Sequence, residues 1–484
     1  MFNLEIAHRF AKNTIFLFIS QILSYFLGFI YILYAARYLG PANFGILSFA
    51  LAFTAIFQIL ADLGLSTLTT REISKDKAFE NKFINNIIPI KLILSVFTFL
   101  IIYLVINSLN YPIQTKEVVY ILSCSIIFTS LSQLFYSLFQ AYEKLFYQSL
   151  TQFLNSLFLF IGIIIAIYLK LNVIGFATIY LLVFMFIFIL NFIILKRRFL
   201  TPKIEINFSF WKFIIKNALP LSFIAIFGTI AFRIDSVLLS LFTNNIFVGW
   251  YTASYKLIEA LIFIPIVYTI SIYPIFSILH TKSIDYLKLV YKKSFKFLFI
   301  IGVPISVGGT LLSTKIILFF YGTAFMPSIL ALQILIWSIP LIFLTKMISY
   351  LFASINKQNL LLKISFIYMC TNIASNIILI PYWGYIGCSF ATLLSELIFF
   401  ILCFYYISKL LIMIDFKEIF IKISLSCISI SLFIIYVDIN LFLQILFSTI
   451  IYFIILILLR TFKPEEIRLF KEIILKFNIK KFFN

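Results

Sequence analysis

The chain has 484 residues, of which 63% are hydrophobic and only 12% charged, with 38 Lys and Arg against 18 Asp and Glu for a net charge of +20. No water-soluble protein of this size hides so much apolar surface, so a helical membrane bundle is expected, an all-α integral membrane protein. The positive balance sits in short clusters beside apolar runs and forms no separate basic domain, which excludes nucleic acid as a partner and favours anionic membrane lipids.

Windows of about 20 apolar residues, long enough to cross roughly 30 Å of hydrocarbon, predict fourteen spans in chain order. Their limits are near 14–36, 43–65, 87–106, 118–141, 145–169, 172–195, 217–242, 247–279, 297–320, 328–355, 360–381, 385–408, 419–437 and 441–460. The first span is too long for a cleavable leader and lacks a small-residue cleavage site, so it is expected to remain as the first helix. Thirty of the 38 cations fall in the amino-terminal segment, in alternate connections and in the final segment; the other connections hold Arg37, Lys116 and Lys170. Positive loops stay inside. Both termini are therefore expected in the cytoplasm, with the protein spanning the membrane many times.

Two basic connections punctuate the spans. Lys196–Lys216 carries six cations and Pro202, and Lys409–Lys422 precedes the last pair of spans. The expected organisation is a six-helix lobe over 1–200, a second over 201–410, two further helices over 411–461 and a basic cytoplasmic tail over 462–484. The two lobes echo each other: Gly40-Pro41-Ala42-Asn43-Phe44-Gly45 answers Asn244-Asn245-Ile246-Phe247-Val248-Gly249, with Gly45 and Gly249 separated by 204 positions. A second echo joins Leu171–Thr178 with Pro381–Thr392. Repeats of this kind belong to transporters, which carry their cargo at the interface between repeats.

Signs of chemistry are absent from the sequence. Its two histidines, His8 and His280, lie in basic segments and assemble neither a metal cluster nor a nucleophile–base pair, and no Gly-rich nucleotide loop is present. An enzyme, a cofactor and a bound metal are not expected. A membrane glycosyltransferase or polymerase needs a large outer loop, and the longest here runs only from Asn107 to Glu117. The five cysteines all fall inside spans and read as buried apolar groups.

Nine ionisable residues lie within spans, where each costs at least about 2.5–3.5 kcal/mol near the bilayer centre and so faces protein or a wet cavity. Asp62, Lys91 and Lys315 lie close enough to span ends to snorkel. Arg233, Asp235, Lys256, Glu259, Lys346 and Glu396 lie deeper. Lys256 and Glu259, three apart, suit a pair on one helix face, whereas Arg233 and Asp235 point to different sides. Their structural role would be to neutralise one another and pin helices together. Among the neutral polar groups of the first six spans, Gln58, Gln133 and Gln140, together with Gln21, Gln152 and Asn155, either glue helices or contact cargo.

A resemblance gives these residues a cargo. Phe232-Arg233-Ile234-Asp235, Val248-Gly249-Trp250-Tyr251 through Glu259, Ala35-Ala36-Arg37-Tyr38-Leu39-Gly40 with Phe44-Gly45, Tyr321-Gly322 to Phe325, and Gly384 to Glu396 are similar to the polysaccharide exporter branch of the multidrug/oligosaccharidyl-lipid/polysaccharide (MOP) superfamily. In particular the chain resembles the Wzx-type flippases of O-antigen and capsule repeat units. That resemblance implies two V-shaped six-helix lobes plus two helices, and a cargo of oligosaccharide joined through pyrophosphate to undecaprenol. It also suggests assembly with a polysaccharide polymerase and a chain-length regulator. With such a cargo, Arg233, Lys256 and Lys346 are expected to bind pyrophosphate, since fixed cations must replace its water. Asp235, Glu259 and Glu396 are then expected to pair or to carry a coupling ion, and Gln58, Gln133 and Gln140 to touch sugars. The family's cationic first lobe is not matched here. A peptidoglycan-precursor flippase and a drug/cation antiporter of the same superfamily are the alternative readings.

Overall fold

The computed structural model describes residues 4–414 and 417–462, and among these all regular structure is helical. The first half comprises α1 (Leu4–Asp62), α2 (Leu65–Lys75), α3 (Glu80–Ser108), α4 (Ile113–Ala141), α5 (Leu145–Tyr168) and α6 (Val173–Arg198). The second half comprises α7 (Phe208–Phe242), α8 (Asn245–Leu261), α9 (Phe263–Lys282), α10 (Ile284–Leu311), α11 (Ser313–Phe320), α12 (Ser328–Leu335), α13 (Ser338–Ser354) and α14 (Gln358–Leu410). Two last helices follow, α15 (Lys417–Tyr436) and α16 (Leu441–Leu458). The basic tail expected over 462–484 lies, from residue 463 on, outside the described residues, as do the side chains of His8, Arg9 and Lys12.

By length and composition eleven of the described helices can cross a membrane, or twelve when the bent pair α12 and α13 is taken as one span. Fourteen were expected, and α1 and α14 account for the difference because each runs through what the sequence divides into two spans. At about 1.5 Å per residue a straight α1 would measure nearly three times the hydrocarbon thickness. It does not run straight. Helical geometry breaks at Gly40, with φ 67° and Pro41 next, and in α14 at Gly384, with φ 56°. Only glycine adopts such backbone without strain, so these two residues set where each long helix turns.

One large core cluster joins residues of both halves, including Phe49, Phe176, Tyr251 and Phe343, and a smaller one gathers Leu65, Phe83, Leu138 and Leu195 where α2, α3, α4 and α6 meet. The halves touch at both ends. Among the cation-poor turns, Gly45 and Gly249 form a reciprocal crossing: a Cβ on Gly45 would come within 1.7 Å of the Asn245 carbonyl oxygen, and one on Gly249 within 2.0 Å of that of Pro41. Backbone lies on backbone there, as small residues permit in membrane interiors. Around it Tyr111 donates to Ser240 at 3.0 Å, Phe44 packs edge-on against Phe325, and the Arg37 guanidinium donates to the carbonyl of Phe319.

At the basic end the connection from α6 to α7 is held by the first half. Asn85 Oδ1 accepts from the Lys203 amide at 2.8 Å, and its amide group donates to Glu205 at 2.8 Å. Asn86 Oδ1 accepts from the Asn207 amide and from the Trp211 indole at 3.2 and 3.1 Å. The connection expected to be a linker is thus a strap read by two buried asparagines of α3.

Lys91 and Asp62 depart from the snorkelling expected of them. Lys91 is fully buried and its ammonium donates to Asp62, Ser66 and Ser130. The ion pair ties α3 to the end of α1 and to α4 in the interior of the first half. Lys315 meets Asp438, the Ile439 carbonyl and Gln444, fastening α11 to the last pair of helices. Tyr452 completes that attachment by donating to the Ile300 carbonyl of α10 at 2.7 Å.

Candidate functional site

A cavity of about 1100 Å³ lies between the halves, lined by α1, α4, α5 and α6 on one side and by α7, α8, α9, α13 and α14 on the other. Its lining extends from Arg233 and Lys256 to Tyr136 near the end of α4 and Leu361 near the start of α14, which takes it toward the basic end. The glycine crossing lies toward the opposite end.

Five of the six deep ionisable residues line this cavity: Arg233, Lys256, Glu259, Lys346 and Glu396. Helical spacing explains their convergence. Lys256 and Glu259 occupy one face of α8 three residues apart, and the Lys256 ammonium bonds to Glu259. From α7, Arg233 reaches the other oxygen of the same carboxylate at 3.3 Å, its guanidinium lying over the Phe232 ring. Two cations therefore share one anion. About a third of the Arg233 side chain is exposed, to the cavity it lines. Lys346 on α13 is exposed in the same cavity with no ion pair within 4 Å among the described residues. Glu396 accepts from Tyr368 at 2.7 Å and feels the charge of Lys346.

The sixth, Asp235, is turned away from the cavity. Two residues from Arg233 on a helix is about 200° of rotation, and that rotation seats Asp235 between α7, α8 and α14 with 2% of its surface exposed. Tyr251 and Thr392 donate to one of its oxygens at 2.8 and 2.9 Å, and Asn376 to the other at 2.7 Å. No cation pairs with it among the described residues.

The three glutamines expected to touch sugars stand elsewhere. Gln58 donates to Thr129 at 3.1 Å between α1 and α4, in the manner of helix glue. Gln133 is exposed, one residue and hence about 100° around α4 from the cavity-lining Ser132. Gln140 is exposed in the last turn of α4, beyond the lining, and bonds to Gln148 at 3.0 Å. The first-half amides that do line the cavity are Gln21, Gln152 and Asn155. A single sequence offers no signal to separate these two sets, because each falls in an apolar span. No cluster of three or more metal-ligating side chains occurs among the described residues.

Residues 10–280, more than half the chain, match the model of the polysaccharide biosynthesis protein family. The chain belongs to that family. No curated protein matches it in sequence. Among solved structures it is similar to a lipid II flippase, MurJ, in an inward closed conformation, at 19% identity and a TM-score of 0.78, covering 92% of this chain and 99% of that one. It is also similar to a multidrug resistance MATE transporter of the MOP superfamily in an inward-facing conformation, at 16% identity and a TM-score of 0.66, covering 80% and 95%. A third likeness is to a MOP superfamily transporter from Pyrococcus furiosus, at 16% identity and a TM-score of 0.57, covering 82% and 96%. This polysaccharide biosynthesis family member is therefore a multi-pass membrane protein with the fold of MOP superfamily flippases and transporters.

Proposed function

We propose that the chain flips an oligosaccharide, linked through pyrophosphate to undecaprenol, from the cytoplasmic to the outer leaflet of a bacterial inner membrane for surface polysaccharide synthesis. The observation that carries this reading is the placement of Arg233, Lys256 and Lys346 on one cavity between two halves of a membrane protein. Pyrophosphate carries roughly two negative charges, and a low-dielectric path admits them only where fixed cations replace the water. Arginine takes phosphate oxygens two at a time, and the lysines act as point charges beside it. In this reading the basic end is cytoplasmic, and cargo enters there while the glycine crossing seals the outer end. The halves then rock to expose the cavity outward. A polymerase and a chain-length regulator would take the product, as in the family the sequence resembles.

Export of lipid-linked sugars in cells tests the anchor. Arg233→Ala is expected to abolish export at normal abundance, and Arg233→Lys to leave a small fraction, because the bidentate grip is lost and the charge kept. Full export by the alanine variant would refute the anchor role. The lipid that accumulates in a deletion strain identifies the cargo: an oligosaccharide repeat unit supports this reading, and a peptidoglycan precursor would transfer to this chain the cargo named for its structural relative.

No nucleotide-binding loop is present in the sequence, so the driving force must come from gradients or from use of the product. We propose Asp235, enclosed by neutral donors, and Glu396, at the cavity edge, as coupling carboxylates. Their amide variants, Asp235→Asn and Glu396→Gln, are expected to lose the dependence of transport on a proton or sodium gradient.

A further inference from the structure

The cavity is chemically lopsided. Among the described residues every charged side chain in its lining belongs to the second half, while the first half contributes amides, hydroxyls, tyrosine rings and apolar groups. On that neutral wall Ser24 Oγ, Ser132 Oγ and Asn155 Oδ1 are shielded and have no hydrogen-bond partner among the described residues. Gln152 and Asn155 lie three apart on α5, hence on one face, with Gln21 and Ser24 similarly paired on α1. Buried polar atoms are normally satisfied, so these three leave hydrogen-bonding capacity unused beside the cavity.

We infer that this first-half wall is a carbohydrate subsite, with Gln152 and Asn155 as its specificity-determining residues. The inference rests on the pyrophosphate reading of the opposite wall. Amides offer both donors and acceptors at no charge cost, which is the complement of a ring of hydroxyls. The ring of Tyr25, also in the lining, adds an apolar face with a polar tip. The two walls divide the cargo between them. The second half holds the charge common to every pyrophosphate-linked lipid, and the first half reads the sugars that differ from one lipid to another. A site built to bond hydroxyls discriminates strongly against a ligand that lacks them. Placing the reader on neutral side chains also leaves it free to change sugar preference without disturbing the anchor.

Binding to the purified full-length protein in lipid nanodiscs tests this, with two probes: synthetic undecaprenyl pyrophosphate, and the lipid-linked oligosaccharide extracted from the host's deletion strain. The wild type is expected to bind the glycosylated lipid more tightly than the bare one. Gln152→Ala with Asn155→Ala is expected to weaken the glycosylated lipid about tenfold, as loss of one or two hydrogen bonds would, and to leave the bare lipid unchanged. Bare-lipid binding thus doubles as the check on folding, and each single substitution is measured should the pair fail to fold. Arg233→Ala must weaken both probes alike. Equal wild-type affinities, or a sugar preference that survives both substitutions, would overturn the subsite and leave the pyrophosphate anchor standing. A wild type that binds neither probe would remove the anchor, and the subsite with it.

Discussion

Lys91 shows what a single buried charge does to a membrane protein of this kind. Its ammonium has no exposed surface and is held by Asp62, Ser66 and Ser130, so truncating it leaves Asp62 charged and unpaired. Lys91→Met is expected to destabilise the folded protein by about 3–5 kcal/mol, and adding Asp62→Asn to recover much of that loss. Thermal unfolding in detergent, followed by size-exclusion chromatography, measures both. The sequence placed Lys91 near a span end, where depth alone favours snorkelling. Its partner stands 29 positions away on another helix, and no periodicity within a helix reveals a pairing of that range. The deep cations were legible for the opposite reason. Arg233, Lys256 and Lys346 each interrupt a long apolar run, and the expense of burying such a charge singles them out whatever the helix packing. The amides carry no such expense, which is why Gln58 and Gln152 looked alike until the helices were placed.

At the level of elements, the crossing of α1 with α8 is the tightest contact between the halves. Ala at Gly45 or Gly249 puts a methyl into a backbone carbonyl, so the turns must separate. Gly249→Ala is expected to hold the cation-poor end apart. Labelling of Ser48→Cys, one turn from Gly45 and buried in the wild type, by a water-soluble maleimide would then rise several-fold. Unchanged labelling would mean that the crossing does not seal that end. The strap between α6 and α7 makes a second case. Asn86→Ala frees the Asn207 amide and the Trp211 indole, and the loss of their shared acceptor is expected to lower stability by about 1–3 kcal/mol in the same unfolding assay. The glycines of the crossing were visible in the sequence as an echo 204 positions apart. Their mutual contact was not, since a repeat shows likeness and says nothing of which copy touches which. The strap read as a plain linker because its charge and Pro202 are what linkers carry, and the two asparagines that hold it lie more than a hundred positions earlier.

For the molecule as a whole, the net charge of cargo and site together decides how transport answers to voltage. Two negative charges leaving a cytoplasm held negative gain about 4.6 kcal/mol per 100 mV. Collapse of the potential with valinomycin and potassium is therefore expected to slow flipping of the pyrophosphate-linked lipid in reconstituted vesicles, and an indifferent rate would point to compensating ion flow through Asp235 or Glu396. Fold class came through from composition because hydrocarbon admits only spans whose backbone is satisfied internally. The windows also divide both long helices where they break, near Gly40 and Gly384, but they do not show that helix continues on each side of the break as it does in α1 and α14.

The carboxylate shared by Arg233 and Lys256 bears on how such a carrier finishes its cycle. A receptor with bare guanidinium and ammonium groups would clutch a diphosphate and stall, loaded for ever. In the proposed cycle Glu259 would be a tethered understudy for the departing anion, stepping back into the seat as the headgroup leaves, so that turnover is bought with affinity and the empty protein returns without its passenger.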